Sequence, residues 1–264
     1  MHLEGRNYIV TGATQGLGAD IAATLLEAGA NVVLVGRGRE KGEALASSLG
    51  PRATFVEADL SSDEAIDRCV ETSKRRYGQI DGLINNACIY DDPGLDATRD
   101  DWRRLLDVNL IGAAIISAKV SKHMPEQGGV IVNIGSIGGK TGAFNRMLYP
   151  ASKAALLQIT KNLAVTLAGR KIRVVSVSPA VTWSPSVESA TGNIATADRR
   201  GAALHPLGRI GRGSEVANVV LFVCSDLAGF VTGTDIAVDG GYMSVGPDQG
   251  HGPRPWMGGS VGVP

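Results

Sequence analysis

Short apolar runs rich in β-branched residues recur along the chain at residues 8–10, 32–35, 54–56, 82–84, 130–134, 174–177 and 235–238. Runs of this length without polar alternation fit strands buried on both faces. Between them, residues 18–28, 41–49, 62–77, 102–123, 151–167 and 214–224 repeat apolar side chains every three to four positions, the period of a helix with one buried face. Ser62 and Ser214 stand where helices should start, and Gly29, Gly50, Gly78 and Gly169 where they should stop. Strict strand–helix alternation predicts an α/β fold in one doubly wound domain, with a mostly seven-stranded parallel sheet covered on both sides. That domain is expected over residues 1–245. Residues 246–264 are dense in glycine and proline and are expected to form an extension, flexible or packed on a partner.

Composition narrows the function. A chain of 264 residues with 44% hydrophobic and 20% charged side chains can bury a full core. The formal net charge is +0, and the basic residues are spread along the chain, so the footprint of a nucleic-acid or anionic-membrane binder is missing. A small molecule is the expected partner. Cys69, Cys88 and Cys224 show neither metal-ligand nor disulfide spacing, and they read as free thiols in a reducing compartment. No apolar stretch approaches the length needed to cross a bilayer, and a cytoplasmic protein is expected.

The first run leads into Gly12-Ala13-Thr14-Gln15-Gly16-Leu17-Gly18 and then directly into a helical pattern. Glycines at this spacing let the backbone turn sharply and approach a ligand. The helix N-terminus behind them offers free N–H groups and partial positive charge to a pyrophosphate. The strand–turn–helix setting favours a dinucleotide site over a turn that serves packing alone. Dinucleotide folds read the adenosine ribose at the end of the second strand, where an acidic residue bonds the 2′-hydroxyl or an arginine meets a 2′-phosphate. Here the chain reads Gly36-Arg37-Gly38-Arg39. Arg37 offers a planar fork suited to phosphate, so NADP(H) is favoured, with NAD(H) still open. Solvated arginines opening the next helix are the plainer alternative.

Tyr149 and Lys153 lie four residues apart at the start of a predicted helix, which puts them on one face about a turn apart. A phenol ordinarily loses its proton near pH ~10, and an adjacent ammonium favours the phenolate. Tyr149 is thereby a candidate general acid/base.

Taken in order, Gly12-x-x-x-Gly16-x-Gly18, Asn85-Asn86-Ala87, Asn109, Ser136, Tyr149-x-x-x-Lys153, Ser178-Pro179-Ala180 and Val238-Asp239-Gly240-Gly241 resemble the short-chain dehydrogenase/reductase family across nearly the whole chain. The resemblance implies a single Rossmann-type domain and an oxidoreductase moving a hydride between NADP(H) and a secondary alcohol or ketone. It makes Tyr149 the proton carrier, Ser136 the residue that holds the reacting oxygen, and Lys153 a ligand of the nicotinamide ribose. Asn109 would open its helix and bind a water that relays protons to Lys153, and a buried, backbone-bonded amide is the competing account. The implied cofactor contacts are Gly12, Thr14, Gln15, Gly16, Leu17 and Gly18 in the pyrophosphate turn, Arg37 at the adenosine ribose, Asp59 and Leu60 at the adenine, Asn86, Ala87, Tyr149 and Lys153 at the nicotinamide ribose, and Pro179, Thr182 and Ser184 at the carboxamide. No metal is implied. Relatives commonly form homotetramers, with a homodimer as the smaller alternative.

Two departures from the family pattern stand out. Cys88 replaces the glycine of Asn-Asn-Ala-Gly, where altered packing is expected, and Ala180 replaces that of Asn-Pro-Gly, which requires a negative φ. Residues 183–205 are expected to form a mobile substrate lid. Trp183, Phe144, Met147 and Tyr90 are offered as apolar walls, and Lys140, Asn145, Arg146 and Glu188 as polar contacts. An NAD-linked catabolic alcohol dehydrogenase and a dinucleotide sensor without turnover are the competing readings. Retention of Ser136, Tyr149 and Lys153 together speaks against the sensor.

Overall fold

The seven apolar runs become seven strands: β1 (Asn7–Thr11), β2 (Asn31–Gly36), β3 (Ala53–Glu57), β4 (Gly82–Asn85), β5 (Gly129–Ile134), β6 (Ile172–Pro179) and β7 (Asp235–Val238). The protein is seen here as a computed structural model that describes residues 1–246. All seven strands pair in parallel, in the order β3-β2-β1-β4-β5-β6-β7. The order reverses between β1 and β4, the crevice where open α/β sheets take their ligands.

Successive side chains along each strand point to opposite faces, and both faces are apolar. Val10, Leu34, Ile84 and Val132 meet α1 (Gly16–Glu27) and α9 (Gly213–Cys224) on one side. Ile9, Val33, Leu83 and Ile131 meet α3 (Asp63–Tyr77), α5 (Ala113–Ser121) and α6 (Leu148–Leu167) on the other. The remaining helices are α2 (Arg39–Leu49), α4 (Arg99–Leu106), α7 (Pro185–Thr191) and α8 (Ile194–Gly201). Among the described residues no helix is long and apolar enough to cross a membrane.

Several boundaries differ from expectation for identifiable reasons. The helix predicted over 102–123 is interrupted: α4 gives way to wider, π-type winding over Asp107–Gly112 before α5 begins. Ser62 caps α3 through its hydroxyl, as expected, but α9 is capped without Ser214. There the Glu215 carboxylate reaches back to accept the Arg212 N–H at 2.8 Å. Gly169 lies in the turn after α6, yet the left-handed residue that reverses the chain is Lys171, with φ 57°. The predicted lid contains two ordered helices, α7 and α8, capped by Ser184 and Asn193. The proposed extension over 246–264 lies outside the described residues apart from Gly246.

Candidate active site

Most of the sequence-predicted positions follow the carboxyl ends of the parallel strands, whereas Tyr149 and Lys153 stand in α6 and Asn109 in the stretch between α4 and α5. The glycine turn leaves β1 with Gly12 and Gly16 at φ 62° and 56°, conformations that side chains other than glycine rarely adopt. A Cβ on Gly12 would stand 2.7 Å from the Ala87 Cα, and one on Gly18 would stand 2.3 Å from the Gly12 carbonyl oxygen. The turn is thus pressed against the segment that follows β4. Asn86 braces it, with its amide nitrogen donating to the carbonyls of Thr11 at 2.9 Å and Gly12 at 3.0 Å. That use of the amide accounts for Asn86 without a ligand, whereas the neighbouring Ala87 backbone remains at the crevice. The N-terminus of α1 has no side-chain cap at Gln15 and no acidic residue in its first turn, so its free N–H groups suit an anion. Leu17 packs back onto the core, and Thr14 covers Gly36, where a Cβ would meet the Thr14 methyl at 2.7 Å.

The two arginines after β2 separate cleanly. Arg39 pairs with Glu57 at 2.9 Å, whereas Arg37 is exposed and forms no ion pair among the described residues. Asp59 is partly committed, accepting the Ser61 N–H at 2.9 Å and its hydroxyl at 2.8 Å. The Ser61 N–H bond, opposed by partial desolvation and aided by the Ser61 hydroxyl and Arg37, holds its carboxyl below the usual range. Leu60 is buried, with its carbonyl pressed on Gly112.

Beyond β5, Ser136 and Tyr149 flank one space. A Cβ on Gly138 would stand 3.3 Å from the Ser136 Oγ and 3.7 Å from the Tyr149 Cε1. The Ser136 Oγ accepts the Gly138 N–H at 3.0 Å, which leaves its own proton available. Lys153 is only 2% exposed, and its ammonium lies 5.7 Å from the centre of the Tyr149 ring. It donates to the Ile134 carbonyl at 2.7 Å and has no carboxylate partner among the described residues. A buried cation so poorly compensated fits a site that receives hydroxyls and a developing phenolate. Uncapped helix, tight glycine cradle and buried ammonium therefore all accommodate a dinucleotide.

Asn109 sits in the π-type stretch, which opens the helix as expected, and its amide is bonded to backbone. It accepts the Ile89 N–H at 2.8 Å and donates to the Ile89 carbonyl at 2.9 Å and the Ser152 Oγ at 3.3 Å. Ser152 in turn donates to the Tyr149 carbonyl at 2.7 Å. Pro179 ends β6, and Ala180 has no positive φ. Thr182 bridges to Gly211 and donates to the Ala180 carbonyl, while Ser184 caps α7.

The expected substrate contacts divide in the same way. Tyr90 stacks on Tyr149 with ring centres 5.1 Å apart, Phe144 and Met147 are exposed nearby in sequence, and Arg146 lies over the Tyr149 ring at 5.3 Å. Lys140 and Asn145 are otherwise engaged: Lys140 is ion-paired with Asp235 of β7, and the Asn145 side-chain oxygen accepts the Leu95 N–H. Trp183 is half-buried and Glu188 is exposed. Burial pushes the thiols of Cys69 and Cys224 up to about 12, so neither is a reactive thiolate. Sequence reasoning missed Asp92, whose carboxylate accepts backbone N–H groups at the start of α6. The signals available were the Asp92-Pro93-Gly94 turn and the lack of a capping side chain at Met147.

The match to known proteins follows the same stretch of chain. A family model described as enoyl-(acyl carrier protein) reductase matches residues 12–243. The chain belongs to the short-chain dehydrogenase/reductase family. It is 35% identical over 247 residues to the cis-4-hydroxycyclohexanecarboxylate dehydrogenase of Sinomonas cyclohexanicum, covering 91% of this chain and 97% of that protein. The 3-oxoacyl-(acyl-carrier-protein) reductase FabG of Aquifex aeolicus is 37% identical over 247 residues, covering 91% and 98%. Among solved structures, a short-chain dehydrogenase/reductase from Brucella melitensis, titled glucose/ribitol dehydrogenase, superposes with a TM-score of 0.85 at 34% identity, covering 92% of this chain and 99% of that one. This short-chain dehydrogenase/reductase is therefore an oxidoreductase acting on CH–OH groups, in a family that uses NAD(P)(H).

Proposed function

We propose that the protein catalyses reversible hydride transfer between NADP(H) and a secondary alcohol or ketone, with Tyr149 as general acid/base. The observation that carries this reading is the buried Lys153 ammonium, without a counter-carboxylate among the described residues, beside a Tyr149 ring that shares its open side with Ser136. When bound, the nicotinamide supplies or accepts the hydride. The Ser136 hydroxyl holds the substrate oxygen, and Tyr149 gives that oxygen a proton in reduction or takes one from it in oxidation. Lys153 stabilises the phenolate formed in reduction and orients the ribose, while Asn109 keeps the helix open and steadies Tyr149 through Ser152. The turn from Gly12 to Gly18 and the free end of α1 receive the pyrophosphate, Ala87 lines the ribose, and Pro179, Thr182 and Ser184 border the carboxamide. Asp59 and Leu60 border the adenine. Arg37, exposed and without an ion-pair partner among the described residues, favours the 2′-phosphate and so NADP(H) over NAD(H).

The substrate reading is a ring-borne or medium-sized secondary alcohol, supported by the apolar surface of Tyr90, Phe144 and Met147 and by the ring substrate named for the Sinomonas relative. We infer a cytoplasmic homotetramer. Three cysteines without disulfide partners support the compartment, and exposed Val165 and Phe230 on and beside α6 and α9 support association, which light scattering would size. The deciding experiment is an alcohol and ketone panel read by the near-ultraviolet absorbance of the reduced nicotinamide. Tyr149→Phe should lower kcat by about 10²–10⁴-fold while NADPH still binds. Unaltered turnover in that variant would refute the mechanism, and cofactor binding without turnover of any compound would favour the sensor reading.

A further inference from the structure

α6 begins without local help. Met147 at its N-cap offers no oxygen, and no acidic residue stands in the first turn. Its exposed N–H groups are instead met by Asp92, which lies outside the helix on the segment leaving β4. The Asp92 Oδ1 accepts the Met147 N–H at 3.1 Å and the Gly94 N–H at 3.2 Å, and Oδ2 accepts the Tyr149 N–H at 3.0 Å. The side chain is 1% exposed, and the Arg146 Nε stands 3.8 Å from Oδ2. A carboxylate in this place both satisfies unpaired donors and complements the positive end of a 20-residue helix.

The same short segment holds Tyr149 from two further directions and reaches the glycine turn as well. Ile89 exchanges two hydrogen bonds with Asn109, which bonds Ser152, which bonds the Tyr149 carbonyl. The Tyr90 ring packs on the Tyr149 ring. Asn86 and Ala87, at the start of the segment, press on the glycine turn. One stretch of seven positions, 86–92, thus runs from the dinucleotide cradle to the proton carrier, and Asp92 is where it grips the Tyr149 N–H.

We propose that Asp92 is a positioning residue for catalysis, fixing the main chain of Tyr149 relative to the cofactor cradle by capping α6 from outside the helix. This rests on the role given to Tyr149 above. Partial desolvation opposes ionisation of Asp92, but the N–H donors of Met147, Tyr149, Leu148 and Gly94 outweigh it and hold the carboxyl below its ordinary range.

The test compares the full-length protein with Asp92→Ala and Asp92→Asn by hydrogen exchange and by steady-state kinetics. In Asp92→Ala, amides 147–149 should lose protection while those of β1, β4 and β5 keep theirs. kcat should fall by about 10- to 100-fold, as expected when a reacting group is displaced by around an ångström, with NADPH affinity within about twofold of the parent. Asp92→Asn keeps one acceptor oxygen and should recover part of both losses. Unchanged kcat in Asp92→Ala, or kcat and NADPH affinity falling together without recovery in Asp92→Asn, would overturn the proposal. If the unaltered protein turns over no alcohol or ketone, the proposed function fails, while exchange at 147–149 still decides whether Asp92 holds Tyr149; unchanged protection there in both variants would refute it. Should Asp92→Ala fail to fold, Asp92→Asn carries the same comparison.

Discussion

Arg37 and Arg39 stand two positions apart after β2, and Glu57 claims the second of them. The side chain left over is the one proposed to meet a 2′-phosphate. Arg37→Ala should raise the KM for NADPH about 10- to 100-fold, the loss expected for one or two charge-assisted hydrogen bonds, and leave that for NADH nearly unchanged. Equal effects on both cofactors, measured as initial rates, would remove Arg37 from the phosphate site. An Asp at position 36 would also require Thr14 to turn its methyl away, because that methyl lies over the Gly36 Cα. At this scale the sequence was informative wherever chemistry depends on residue type and spacing. Tyr149, Lys153 and Arg37 were singled out by what their side chains can do, and Ser136 by the family resemblance. Asn86, Asn109 and Lys140 could not be placed in full, because an amide or ammonium is assigned by whichever partner tertiary structure brings near. Asp92 was missed for the same reason: the helix donors it meets, on Met147 and Tyr149, lie more than fifty positions along the chain.

Helix α1 and its entering turn depend on small residues in close contact. Gly18→Ala would put a Cβ 2.3 Å from the Gly12 carbonyl oxygen and 2.5 Å from the Asn86 amide nitrogen, so the turn must open. NADPH binding, followed by fluorescence titration, should fall by at least about 10-fold while the far-ultraviolet signature of the fold is retained, because a strained turn is a local cost. Retained affinity would show that the cradle tolerates an open turn. Strands were readable because a two-sided buried strand needs a short apolar run, which the interior strands supply, while the edge strands β3 and β7 are only partly buried. The interruption between α4 and α5 was not readable from periodicity, although the family resemblance placed a local opening at Asn109. Apolar spacing continues through Asp107–Gly112 much as it would in a regular helix, and the wider winding answers to Asn109 reaching the backbone of Ile89. The helices within 183–205 were obscured by their shortness, since seven or eight residues give too few turns for a period to register.

Acid should loosen the whole molecule in a definite direction. Asp92 is held low by the N–H donors that outweigh its desolvation. Asp198 and Glu215 are held low chiefly by their hydrogen bonds to Arg212 and Arg209. Carboxyls depressed in the folded state add stability above their unfolded values, about 3.9 for Asp and 4.3 for Glu, and that stability is lost as pH falls through the folded values. Asp20 and Asp81, raised by desolvation, run the other way and blunt the loss. Thermal midpoints should therefore be nearly level from neutrality down to about pH 5 and fall below pH ~4; a fall beginning near pH 6 would implicate histidine instead. Lys140 and Asp235 join the loop after β5 to the edge strand β7, with Ser178 donating to the same carboxylate at 2.5 Å. Lys140→Met should cost about 1–3 kcal/mol in a denaturant melt, since Asp235 keeps its charge but loses its cation. Adding Asp235→Leu should restore part of that. The pair also has a place in time. Ser136 and Lys140 leave the ribosome almost a hundred residues before Asp235, so a growing chain carries the loop of Ser136 without the anchor. Activity should then arrive with the last strand of the sheet, and a nascent chain stalled before it would be folded in large part and still silent.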